Sequence, residues 1–239
     1  MNREVCLRKK GKSMRIFCFP YAGGGAHVFR EWPDFLPKEI LVVPVQLPGH
    51  GSWLKKAPFK HLQPLVQELA GDLSFDSPFV FFGHSMGALI AFELSRELRR
   101  RNLPRPDHLF VSAHGAPQVK RVDSPSSRLS TPEFLEKLRR LDGTPPEVLE
   151  HPDLMEIFLP ILRADFELVE TYEYQKEAPL ECPLSVFGGI QDPDVSRADL
   201  DAWRGLTHGP FSLSMFPGDH FFLHQEKRRL LKQIAQKIL

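Results

Sequence analysis

The stretch Phe81-Phe82-Gly83-His84-Ser85-Met86-Gly87-Ala88-Leu89-Ile90-Ala91-Phe92 decides how this chain is read. With Pro78-Phe79-Val80 leading in, an apolar run suited to a buried strand ends in Gly-x-Ser-x-Gly and passes into an apolar helix. That context puts Ser85 at the tip of a tight strand-to-helix corner. Gly83 and Gly87 are expected there because neighbouring backbone passes too close to leave room for a side chain. The five letters alone are weak, since a surface turn can carry them. The strand before and the helix after make Ser85 a candidate nucleophile.

Outward from the corner, short runs rich in Val, Ile and Phe alternate with helical patterns, which predicts an α/β chain with a mostly parallel sheet covered by helices. The strands are expected at Arg15–Phe19, Leu41–Val45, Phe79–Phe82, Leu109–Ser112, Leu184–Phe187 and Ser212–Phe216. Several end in Gly-rich or Pro-rich turns, such as Tyr21-Ala22-Gly23-Gly24-Gly25, Leu47-Pro48-Gly49-His50-Gly51 and Gly188-Gly189. Ligand crevices of open α/β sheets lie at the carboxyl ends of the strands, so these turns are where chemistry is sought. One stretch breaks the alternation. From Lys120 to Tyr174 there are helix starts at Ser130-Thr131-Pro132-Glu133, Pro145-Pro146-Glu147 and His151-Pro152-Asp153, and no strand pattern. The last opens an apolar run expected to bend or break at Pro160. A helical insertion this apolar reads as a lid over the site, the alternative being ordinary packed helices. The whole of 1–239 is read as one domain with this insertion at 120–174.

A serine hydroxyl needs a base to take its proton, and the base needs an acid to orient it. After a nucleophile elbow the partners follow in the order Ser, acid, His, which is the order of an α/β-hydrolase. Of ten histidines, His220 has the right address, past the last strand and a Pro217-Gly218-Asp219 turn. His224 reads as a helix residue nearby, and His84 cannot easily reach back to the adjoining hydroxyl. The acid is expected at Asp192, first off the strand Leu184–Phe187, with Asp194 as the alternative and Asp219 as a turn former. Two backbone N–H groups are needed for the oxyanion of a tetrahedral intermediate. Met86 offers one at a helix N-terminus, and Ala22 the other, with Gly23 as alternate. The triglycine has neither a GK[ST] ending nor GxGxxG spacing, which disfavours a nucleotide site.

The net charge of +1 over 239 residues gives no electrostatic case for nucleic acid or an anionic membrane surface. Cys6, Cys18 and Cys182 are odd in number and form no CxxC pair, which argues against a disulfide framework or zinc and fits a reducing cytoplasm. The basic lead-in with Arg3, Arg8, Lys9, Lys10 and Lys12 lacks the apolar core of a signal peptide, and no run is long enough to span a membrane. A cytoplasmic monomer without metal or cofactor is expected. Arg96, Arg99, Arg100, Arg101 and Arg105 form a basic cluster that reads first as charge compensation at a helix C-terminus and second as a docking site for an acidic partner.

Phe19-Pro20-Tyr21-Ala22-Gly23-Gly24, Gly83-His84-Ser85-Met86-Gly87-Ala88, Leu162-Arg163-Ala164-Asp165-Phe166, Gly188-Gly189 with Asp192, and Gly218-Asp219-His220-Phe221-Phe222-Leu223, taken in this order, resemble the type II thioesterases. These are free-standing α/β-hydrolases that accompany nonribosomal peptide and polyketide synthases. The resemblance runs from about residue 15 to the C-terminus. Ala113 departs from it, standing where relatives tend to carry glycine. The resemblance implies hydrolysis of acyl thioesters held on the phosphopantetheine arm of an acyl or peptidyl carrier protein, as editing during peptide, polyketide or fatty-acid synthesis. The residues by themselves give acyl transfer to water. A carboxylesterase or lipase would share the three side chains, and a binding module that keeps the fold would lose one.

Overall fold

A computed structural model describes residues 13–119, 125–141, 143 and 146–239. The basic lead-in with Cys6, the first residue of the insertion at Lys120, and Pro145 lie outside the described residues. Six strands, β1 (Met14–Phe19), β2 (Ile40–Pro44), β3 (Phe79–His84), β4 (Leu109–Ser112), β5 (Leu184–Gly189) and β6 (Phe211–Phe216), form one parallel sheet in the order β2-β1-β3-β4-β5-β6. Each lies within two residues of its sequence expectation. Strands β3 and β5 each run two residues further than expected, and in β5 Gly188 and Gly189 continue the ladder against Met215 and Phe216 instead of turning.

The helices are α1 (Leu62–Asp72), α2 (Met86–Arg100), α3 (Thr131–Leu141), α4 (Pro146–Leu149), α5 (Pro152–Glu170), α6 (Arg197–Asp201), α7 (Phe222–Gln225) and α8 (Lys227–Ile238). A parallel sheet needs both faces covered, and side chains alternate between faces along a strand. Phe17, Phe19, Phe79 and Phe81 therefore join α1 and α2 in one core, while Ile16, Cys18, Val80 and Phe82 join α8 with Phe29 and Trp32 in the other. This double burial explains why the strands read as continuous apolar runs.

The chain leaves β1 for one side of the sheet at β2 and returns to the other side at β3. The carboxyl ends of β1 and β3 thus flank the topological switch point, where a crevice forms. Helices α3, α4 and α5 lie between β4 and β5 in sequence and share a small apolar cluster of their own, with Phe134, Leu138, Leu149, Met155 and Leu162 buried. Helix α3 begins where its start signal predicts, with the Ser130 N–H and hydroxyl both donating to Glu133 Oε2 at 3.0 and 2.5 Å. Pro160 does not break α5, which runs on as one helix. Its ring and the Glu156 carbonyl that loses its donor lie on the exposed side, where water can take that bond. Among the described residues, no helix is long and apolar enough to cross a membrane.

Helix α2 is buried along most of its length, including Glu93, Arg96 and Glu97. Four residues of the basic cluster, Arg96, Arg99, Arg100 and Arg101, are paired within the chain. Arg96 meets Glu93 at 2.5 Å and Glu177 at 2.7 Å, Arg99 and Arg100 meet Glu177 at 2.8 and 2.7 Å, and Arg101 meets Glu97 at 2.7 Å. The cluster ties α2 to the segment ahead of β5, which favours the structural reading over docking. Desolvation by itself would raise the Glu177 pKa, but its bonds to Arg96, Arg99 and Arg100 outweigh that and hold the carboxyl at about 2. The value lies below the ordinary 4.5, so the stabilisation is complete above pH 4.5 and is lost as the pH falls toward 2. Calorimetry should find Glu177→Gln less stable than wild type at pH 7, with the gap closing through that acidic window. A gap independent of pH would contradict the assignment.

Candidate active site

Three backbone segments meet at the corner after β3. A Cβ on Gly83 would lie 2.0 Å from the Gly87 carbonyl oxygen, and one on Gly87 would lie 2.0 Å from that of Phe19. No side chain fits in either gap, so β1, β3 and the first turn of α2 touch through backbone alone. Ser85 is forced to φ 54° and ψ −117°, a strained conformation costing about 1–3 kcal/mol that the surrounding packing must sustain. Its amide donates to the Ser112 carbonyl at 2.7 Å, which ties the tip to β4.

From this tip, Ser85 Oγ lies 3.0 Å from His220 Nε2, and His220 Nδ1 lies 2.8 Å from Asp192 Oδ2. A carboxylate only accepts, so Nδ1 carries the proton, Nε2 is the acceptor, and the Ser85 hydroxyl donates to it. The Asp192 side chain is 1% exposed, and its Oδ1 accepts from the Asp194 and Val195 amides at 2.9 and 3.2 Å. Asp194 thus contributes its backbone to holding Asp192, while the residue itself is exposed. Asp219 accepts from the Phe221 N–H at 2.8 Å, a turn contact. The structure brings Ser85, His220 and Asp192 into one hydrogen-bonded chain and leaves Asp194 and Asp219 out of it.

The other expected residues surround this chain. Met86 is the first residue of α2, so its N–H has no preceding helical turn to bond. Ala22 lines a pocket together with Ser85 and His220, whereas the Gly23 N–H is engaged at 2.7 Å by Asp165 Oδ2, which favours Ala22 over its alternate as the loop's donor. His84 turns away from Ser85 to Ser112 Oγ at 2.9 Å. Burial first, then the cost of a second positive ring close to His220 and His224, holds its pKa well below the usual range, so it is a neutral neighbour. His224 lies in α7 and meets the Tyr21 hydroxyl at 3.2 Å. Ala113, in the passage out of β4, sits at φ 52°, a left-handed conformation that glycine adopts more readily.

Beside Ser85 and His220, about 400 Å³ of empty space opens, its outer part continuous with solvent. Ala22 lines the same space, and Leu138, Leu162 and Phe166 of the insertion wall it with apolar surface. The pocket suits an acyl group whose reactive carbonyl rests at Ser85.

One buried pair escaped the sequence reading. His50, after β2, faces the Pro48 carbonyl through Nδ1 at 3.0 Å and Asp165 Oδ2 through Nε2 at 2.8 Å, and both side chains are 5% exposed or less. Two acceptors on one ring call for two ring protons. Burial would lower the His50 pKa, but the hydrogen bond and charge of Asp165, aided by the Pro48 and Leu47 carbonyls, raise it. An aspartate within the apolar pattern of α5, and a histidine in a Pro-Gly turn at a strand's carboxyl end, were the available signals.

A family model described as the thioesterase domain matches residues 14–238. The chain belongs to the thioesterase family. It is a thioester hydrolase of the α/β-hydrolase fold, similar to type II thioesterases. The gramicidin S biosynthesis protein GrsT of Aneurinibacillus migulanus is 44% identical over 227 residues, covering 94% of this thioesterase and 89% of that protein. The solved RedJ thioesterase of the prodiginine pathway in Streptomyces coelicolor is 38% identical, with a TM-score of 0.87 over 95% of this chain and 87% of its own. YbtT, a type II thioesterase of the yersiniabactin NRPS/PKS pathway, is 32% identical, with a TM-score of 0.83 over 95% and 94%.

The backbone contact at the corner makes a direct prediction for this thioesterase. Gly87→Ala must push α2 off β1 and should lower stability in urea by about 3 kcal/mol. Gly71→Ala, with open space at its Cβ in α1, should gain up to about 1 kcal/mol. Equal effects from the two would contradict the close approach.

Proposed function

We propose that this thioesterase hydrolyses acyl groups carried as thioesters on the phosphopantetheine arm of a carrier protein, through a covalent acyl intermediate on Ser85. The hydrogen-bonded chain from Ser85 through His220 to Asp192, set at the switch point beside an apolar pocket, carries this reading. His220 Nε2 takes the Ser85 proton as Oγ attacks the thioester carbonyl, and buried Asp192 stabilises the imidazolium that forms. The carbonyl oxygen becomes an oxyanion facing the Met86 and Ala22 amides. On collapse the C–S bond breaks, and His220 returns its proton to the departing pantetheine sulfur. Water, deprotonated by the same Nε2, then attacks the acyl-Ser85 ester and releases a carboxylic acid, restoring the serine hydroxyl.

The carrier-bound substrate and an editing role in nonribosomal peptide or polyketide synthesis rest on the relatives, whose names tie them to such pathways. The apolar walls from Leu138, Leu162 and Phe166 support an acyl chain. In this reading α3 to α5 act as a lid that shelters the chain and admits the narrow pantetheine arm.

Kinetics on an acyl-loaded carrier protein test the assignment. Ser85→Ala should cut turnover by roughly 10³-fold or more, and Asp192→Asn by orders of magnitude, while Asp194→Asn stays near wild type. Near-wild-type turnover by folded Ser85→Ala, or a reversed ranking of the two aspartates, would overturn the roles. Faster cleavage of a matched oxygen ester than of the carrier thioester would favour an esterase of small acyl esters. On the same substrates, Leu138→Ala should shift chain-length preference, and an unchanged preference would remove the acyl role of the insertion's wall.

A further inference from the structure

The pocket wall and the loop after β1 are joined by one carboxylate. Asp165 Oδ2 accepts both the Gly23 N–H at 2.7 Å and His50 Nε2 at 2.8 Å. Gly23 has φ +77°, and a Cβ there would lie 2.5 Å from Leu162 Cδ2, so α5 sits directly on the loop. Leu162 and Phe166, which wall the acyl pocket, flank Asp165 on that helix.

These bonds fix the peptide planes on either side of Ala22. The Gly24 N–H donates to the Tyr21 carbonyl at 2.9 Å. In a trans peptide the N–H points opposite to the carbonyl of the same plane, so this bond sets the direction of the Ala22 N–H. The next plane, between Ala22 and Gly23, is held by the Gly23 bond to Asp165. A buried ion pair alone seldom stabilises a fold beyond what apolar residues of similar size would give. An acceptor needed at one backbone amide explains its presence better.

Resting on the reading of Ala22 as an oxyanion donor, we propose that Asp165, braced by His50, is a positioning residue that holds the Ala22–Gly23 loop so that the Ala22 N–H faces the developing oxyanion at Ser85. The helix that lines the acyl pocket thereby also sets the oxyanion site. Asp165 itself touches no reacting atom.

The test compares wild type, Asp165→Asn and the double variant His50→Leu with Asp165→Leu, using hydrolysis of acetyl-N-acetylcysteamine and thermal melting. The double variant removes both partners and strands no charge, so it should stay folded, while the Gly23 N–H loses its acceptor. Its kcat should fall about 10²-fold, the scale of losing one oxyanion donor, with KM changed less than about threefold. Asp165→Asn keeps an oxygen at the Oδ2 position and should recover at least about tenfold of that loss, which a merely structural role would not produce. A folded double variant with kcat within threefold of wild type overturns the proposal. Equal losses in Asn and Leu variants overturn it too. If the double variant does not fold, His50→Leu with Asp165→Asn is compared with His50→Leu with Asp165→Ala at a temperature where both are folded: a kcat at least about tenfold higher in the Asn pair supports the acceptor role, and any smaller difference overturns it. Failure of the catalytic reading shows differently, as wild type that neither hydrolyses the thioester nor takes a fluorophosphonate label on Ser85, and it removes both.

Discussion

Everything at this site depends on three strands of backbone brought closer than side chains allow. Gly83 and Gly87 let β3 and the first turn of α2 press against the end of β1. The contact turns the chain so sharply that Ser85 projects alone from the sheet's edge. It also leaves the Met86 amide uncovered and sets the Ala22 loop alongside. Packing maintains the strain, with α2 sunk between the sheet and α1 and its far end clamped through Arg96, Arg99 and Arg100 to Glu177. A nucleophile on a softer turn would lose both its exposure and its distance to His220.

Electrostatics around the corner separate three histidines by their partners. His84 is buried against Ser112, a neutral partner, and desolvation keeps it neutral. His50 is buried to a similar degree but faces a carboxylate and a carbonyl, and those acceptors reverse the effect of burial. His220 has a carboxylate on one nitrogen and a hydroxyl on the other, the arrangement that lets one ring pass a proton in both directions. Residue type alone predicts none of these states. What surrounds each ring decides.

The sheet was legible because double burial writes itself as uninterrupted apolar runs and because each run ends in a turn. All six strands and the corner could be located from that pattern, as could the spatial meeting of Ser85, His220 and Asp192, since chain order limits which His and which acid can reach the tip. Asp192 was separable from Asp194 only by its place first off β5; the amides of Asp194 and Val195 that hold it are a property of the folded turn. Pro160 shows the limit of local rules, because α5 absorbs it where its lost bond faces water. The pairing of His50 with Asp165 was not legible for a different reason. The two residues are 115 positions apart, and a charged residue in an apolar helix has no meaning until its partner is in view.

The account stands or falls on whether the acyl group passes through Ser85. Turnover on an acyl-loaded carrier protein, quenched in acid during the steady state and digested for mass spectrometry, reads this directly. The account predicts the acyl mass on the peptide containing Ser85, as an ester that disappears when the substrate is exhausted. Acyl mass on any other peptide of the thioesterase itself, or steady hydrolysis by the Ser85→Ala protein with no adduct on the enzyme, would contradict it.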